Sequence, residues 1–139
     1  MNITIIDGQG GQLGAQLVKE ITTNFSDIHL TVIGTNAVAT AAMLKAGAKN
    51  AATGENPVLV ACRKSDVIIG PVGIVIADSL LGEITERMAV AVGKSDAIRI
   101  LIPMNKCDNL IAGVSSPNIK TLVDDAISKL KNIVDSYNS

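Results

Sequence analysis

Four short runs constrain this chain most: "ITIID" (3–7), "IHLTVIG" (28–34), "DVIIG" (66–70) and "AIRILIP" (97–103) are apolar on successive residues rather than on alternate ones. A strand of that kind must be covered on both faces, and helices supply the cover. The segments between the runs have helical spacing. After the first come Leu13, Leu17, Val18, Ile21 and Phe25 on one stripe. "TNAVATAAMLKAG" has Thr35 or Asn36 as cap and Gly47 at its end. "NPVLVACRKS" (56–65) starts with Asn56 as cap and Pro57 in its first position, and "ITERMAVAVGK" stops near Gly93. "NLIAGV" (109–114) reads as a short fifth strand, and a last helix from Ser116-Pro117 carries Ile119 to Tyr137 on one stripe. Strands alternating with helices predict an α/β chain with an open, doubly wound, mostly parallel sheet in a three-layer sandwich. With 139 residues and no internal linker, residues 1–139 are expected to form a single domain.

Composition narrows the functions. The formal charge is -1, from 12 basic and 13 acidic residues without a basic cluster, and the only aromatic residues are Phe25 and Tyr137. A chain with neither phosphate-attracting patches nor stacking platforms is not expected to bind nucleic acid. The most apolar stretch, Val67 to Gly82, is short for a membrane span and is broken by Gly70, Pro71, Gly73 and Asp78. With no leader pattern and no CxxC around Cys62 or Cys107, the expectation is a cytoplasmic protein with free thiols. The apolar content, 47% against 18% charged, leaves surface for a second copy to cover, so a homo-oligomer is expected.

In a parallel sheet, ligands sit beyond the carboxyl ends of the strands. That edge gathers residues 7–12, Gly34 to Asn36, Gly70 to Gly73 and Asn105, and leaves His29 at the opposite edge. The first strand runs into "GQGGQLG", where Gly8, Gly11 and Gly14 are three apart and Gly10 adds another small position. A glycine loop between strand and helix lets backbone amides approach a pyrophosphate, with the helix N-terminus favouring its charge. The candidate binding residues are Gly8, Gln9, Gly10, Gly11, Gln12 and Gly14, with Thr35, Asn36, Gly70 and Pro71 lining the adjoining crevice. Asp7 leaves two readings open. Its carboxylate either accepts the loop's own amides, capping the helix, or faces a phosphate through a metal ion.

The loop resembles the cofactor loop of extended short-chain dehydrogenases, such as sugar-nucleotide reductases and epimerases. That resemblance implies NAD or NADP as cofactor. Two features depart from it. Thr35 and Asn36 stand where an acidic residue would read the ribose, and Tyr137, the sole tyrosine, lacks a lysine four residues later. The remaining candidates for chemistry are Glu55, Asp78, Ser79, Glu83 and Asn105. Asp78 and Glu83, in "ADSLLGEIT", are the catalytic candidates, brought together by a break at Gly82. Glu55 has the plainer role of an acid beside a helix start.

Taken together, "IDGQGGQLG", "GTNAVATAAMLKAGA", "ATGEN", "DVIIGPVGIVIADSLLGEIT" and "ILIPMN" resemble a family of short bacterial proteins known as a domain of unknown function. The resemblance implies a stand-alone Rossmann-like domain and no particular substrate. The expected function is nucleotide or dinucleotide binding at Gly8–Gly14. A non-enzymatic nucleotide sensor or adaptor, and a purely structural oligomer, are the alternatives.

Overall fold

Ile3, Ile5 and Ile6 are sealed from solvent because the strand that carries them lies at the centre of a sheet with helices on both sides. The computed structural model describes residues 1–104, 109–114 and 118–139. In chain order the elements are β1 (Asn2–Asp7), α1 (Gln12–Asn24), β2 (His29–Gly34), α2 (Ala37–Lys45), β3 (Asn50–Thr53) and α3 (Glu55–Lys64). There follow β4 (Val67–Pro71), a 3-10 turn (Val72–Val75), α4 (Glu86–Lys94), β5 (Ile98–Ile102) and α5 (Ile119–Asn138). The five strands are parallel, in the order β3-β2-β1-β4-β5. This is the doubly wound α/β sandwich expected.

Strand alternation divides the core in two. Ile3, Ile5, Val32, Val67, Ile69, Ile100 and Ile102 pack with α1, α2 and α5 on one face. Ile6, Ile33 and Ile68 pack on the other with Val58 and Cys62 of α3 and Met88 and Val92 of α4. Each such buried branched side chain stabilises the fold by roughly 1.5–3 kcal/mol relative to exposure.

Three local expectations change. The sheet's fifth strand is β3, four residues of "NAAT" on the β2 edge, and not 109–114, which forms no strand. α3 begins at Glu55 behind Gly54, whose φ of 103° suits glycine, so Asn56 and Pro57 lie inside the first turn. α4 begins at Glu86 behind its cap Thr85, so Ile84 and Thr85 precede the helix, and it ends at Lys94, near Gly93 as expected. Asn118 caps α5 by accepting from the Thr121 amide; Ser116 and Pro117, the expected start, lie outside the described residues.

Candidate functional site

β1 has β2 on one side and β4 on the other, so the chain order reverses beside it. Loops leaving such a point diverge and open a crevice beyond the carboxyl ends of the strands. The loop there turns tightly: the Gly11 amide donates to the Gly8 carbonyl at 3.0 Å, and Gly11, at φ 73°, leads into α1. Gln9 is also left-handed, at φ 50°.

Two carboxylates claim much of this loop. Asp7 is buried, accepting from Gly8 N through Oδ1 at 2.8 Å and from Gly14 N through Oδ2 at 2.7 Å. It therefore caps the loop and helix itself, one of the two readings the sequence left open. Burial pushes its carboxyl above the ordinary range, and the two amide bonds offset this only in part. Glu83 reaches in from the far side of the crevice. Its Oε1 accepts from Thr35 Oγ1 at 2.6 Å, Asn36 Nδ2 at 2.7 Å and Gln9 N at 3.0 Å. Partial burial works against its charge, yet these bonds outweigh that and hold its carboxyl below the usual value. Asn36 also donates to the Gln9 carbonyl and, through Oδ1, caps α2 at the Ala39 amide.

The glycines are explained mainly by the protein's own packing. A Cβ on Gly8 would lie 2.5 Å from Thr35 Oγ1 and 3.0 Å from Glu83 Oε1. One on Gly11 would meet Ala39 Cα at 2.7 Å, and one on Gly14 would meet Met43 Sδ at 2.5 Å. Gly70 likewise has no room, because the Ile6 carbonyl of β1 fills the space, and Pro71 is buried beside it. Gly10 differs: only Gln12 Cγ, at 3.9 Å, comes within 4 Å. Next to it, the Gln12 and Leu13 amides, at the start of α1, donate to no group among the described residues.

Glu83 is delivered by a strained loop. Asp78, Leu80 and Leu81 all have left-handed backbones, at φ 65°, 55° and 56°, with Gly82 at 88°. Such residues cost about 1 kcal/mol or more each and persist where their surroundings fix them. Here the Asp78 amide donates to the Ile84 carbonyl, Ser79 Oγ donates to the Gly73 carbonyl, and Leu80 is buried against the α4 core. The turn at Gly82 does not pair the two catalytic candidates. Glu83 turns onto the glycine loop while Asp78 stays exposed, with no hydrogen bond between them. Sequence reasoning placed Glu83 among catalytic groups and missed its contact with Thr35 and Asn36, since nothing local links residues 47 or 48 positions apart.

Other candidates fall elsewhere. His29 is exposed at the amino end of β2, as expected. Glu55 stands in the first turn of α3 but also accepts from Thr85 Oγ1 at 2.6 Å and Arg87 at 3.3 Å, tying two helix starts together. Asn105 and Cys107 lie outside the described residues. A groove of about 630 Å³ runs between α3 and α4, lined by Leu59, Arg63, Val90 and Lys94, and includes none of the glycine-loop residues. No helix among the described residues is long and apolar enough to cross a membrane.

A family model described as "Domain of unknown function (DUF3842)" matches residues 2–135. No curated protein sequence matches the chain. Among solved structures, a protein described as a dodecameric FMN-dependent Ubix-like decarboxylase from Escherichia coli O157:H7 is similar. It shares 18% identity over 94% of this chain and 76% of that chain, with a TM-score of 0.46. A likeness of that degree says nothing about a ligand.

Proposed function

The chain belongs to the domain-of-unknown-function family that matches it, and from its own residues we propose that it binds a nucleotide or dinucleotide at the Gly8–Gly14 loop. One observation carries this reading: the Gln12 and Leu13 amides are unclaimed at the start of a helix, beside an unobstructed Gly10, where the strand order reverses. Free amides at a helix start favour phosphate through both hydrogen bonding and the helix dipole. The site is narrower than the sequence implied. Asp7 and Glu83 hold the Gly8, Gln9 and Gly14 amides, which leaves Gly10, Gln12 and Leu13 for the ligand. NAD and NADP belong to the class that would fit, as do ATP, coenzyme A and FMN. Because Asp78 and Glu83 have different neighbours, the geometry supports binding rather than their joint catalysis.

A thermal-shift panel of NAD, NADH, NADP, NADPH, ATP, coenzyme A and FMN, with and without magnesium, tests the proposal. A ligand at a hundred times its dissociation constant adds about 2.7 kcal/mol, a shift of several degrees for a domain of this size. At Gly10 an added Cβ meets only Gln12 Cγ, at an ordinary contact distance of 3.9 Å, so Gly10→Val should change the unliganded melting point little and abolish the shift. A shift that survives in Gly10→Val removes the loop from the site. No shift from any compound removes the reading.

A further inference from the structure

We infer that Glu83 is the ribose-reading group of this site, selecting nucleotides with a free 2′-hydroxyl and rejecting those with a 2′-phosphate. The inference rests on the nucleotide reading above and adds to it the class of ligand.

The two oxygens of the Glu83 carboxylate have different surroundings. Oε1 is saturated by three donors, from Thr35, Asn36 and the Gln9 amide. Oε2 accepts from no group among the described residues. Since no buried side-chain oxygen there lacks a partner, Oε2 is open to solvent. One oxygen is thus fixed and its twin is free, which suits a single hydroxyl donor from a ligand. The three bonds anchor the carboxylate and stabilise its charged form, and an ionised carboxylate is an acceptor only.

Position agrees with that chemistry. Dinucleotide-binding folds place an acidic side chain at the end of the second strand, on the ribose 2′-hydroxyl. This chain has Thr35 and Asn36 there, and both donate to Glu83. The missing acid is therefore supplied across the crevice, from the loop after β4. The same carboxylate that receives a hydroxyl repels a phosphate at that point, and among the described residues no arginine or lysine bonds to this cluster to offset the repulsion. The left-handed residues at 78, 80 and 81 support a functional purpose, because strain kept in a fixed loop is a recurring mark of positioned groups.

Equilibrium binding of NAD, NADP, ADP and 2′-deoxy-ADP provides the test, in the native chain and in Glu83→Gln. A hydrogen bond to a charged group implies a preference of about tenfold or more for NAD over NADP and for ADP over 2′-deoxy-ADP in the native chain. Glutamine keeps a carbonyl for the three donors but puts a neutral NH2 where the charged acceptor Oε2 stood, so both ratios should fall severalfold, and the NAD-over-NADP ratio to one or below. A merely structural Glu83 would weaken all four ligands alike and leave the ratios unchanged, which overturns the inference. Equal affinity of the native chain for NAD and NADP overturns it too while leaving nucleotide binding intact. So does binding of FMN with none of the four. Should Glu83→Gln fail to fold, the two native-chain ratios decide alone.

Discussion

At Asp7 a carboxylate is closed in by the β1–α1 turn it caps, while at Glu83 another stands at the crevice mouth with three donors on one oxygen. Their stability contributions run in opposite directions with pH. Asp7 titrates above its ordinary value, so the folded state holds its proton better than the unfolded chain does. Its contribution is complete below about pH 4 and is lost as pH rises through the raised value. Glu83 titrates low, so its contribution is present above about pH 4.3 and is lost as pH falls through the depressed value. Urea melts across the acid range should separate them. Asp7→Asn should remove a decline in stability on the rising side, and Glu83→Gln should remove a loss on the falling side. An Asp7→Asn profile parallel to the native one would mean that Asp7 titrates normally. Asp7 was recognisable in sequence as a carboxylate next to a glycine loop. Its choice of the loop's own amides was not, because that depends on how the α1 start folds back onto the end of β1.

Among the elements, legibility followed length and pattern. β1, β2 and β4 bury residues on both faces and could be read from their apolar runs. β5, at the sheet edge, buries Ile100 and Ile102 on one face only, with Leu101 half-buried on the other and Arg99 exposed, so the two-sided cover its apolar run implied is incomplete. β3 could not: "NAAT" has no large side chain, and it is held by parallel pairing with β2 from Thr31 to Gly34. Caps were legible where the side chain does the capping, as at Asn36, and misread at α3, where Gly54 takes the place assigned to Asn56. Thr85 is the cap whose loss is easiest to forecast. Its hydroxyl accepts from the Met88 amide at 3.1 Å and donates to Glu55, so Thr85→Ala should cost about 1–2 kcal/mol. The check is a lower urea midpoint with an unchanged slope; an unmoved midpoint would show that the α4 start needs no such cap. The glycine loop gives a sharper contrast. Gly11→Val drives a side chain into the α2 backbone from a left-handed residue and should cost at least about 2 kcal/mol, whereas Gly10→Val should stay within about 1 kcal/mol. Equal losses would contradict the packing account of these glycines.

For the molecule as a whole, the two-faced core leaves several large apolar side chains outside it: Leu110 is 96% exposed, Leu81 93% and Val38 67%. Coverage by a second copy is the outcome composition led us to expect, and sedimentation should then give a multiple of 14.4 kDa. A single-chain mass at all micromolar concentrations would refute it. The core's closure has its own probe in Cys62, which packs with Val58, Ile68, Met88 and Val92 under α3 and α4. Burial pushes its thiol up to about 11, and only the thiolate attacks a disulfide reagent. Two barriers therefore protect it at neutral pH, the scarcity of thiolate and its near-complete burial in the wall of the α3–α4 groove, where it is 5% exposed. In a Cys107→Ser background, Cys62 should react at least about a thousandfold slower than in the denatured chain, because modification tracks the population that opens. If opening is global, the rate should climb with urea on the slope of equilibrium unfolding. A bound nucleotide should slow it further by the factor its binding adds to stability, although Cys62 lies away from the Gly8–Gly14 loop. A rate that ignores urea would instead mean that α3 detaches locally, and that the core under α3 and α4 is not one cooperative unit with the sheet.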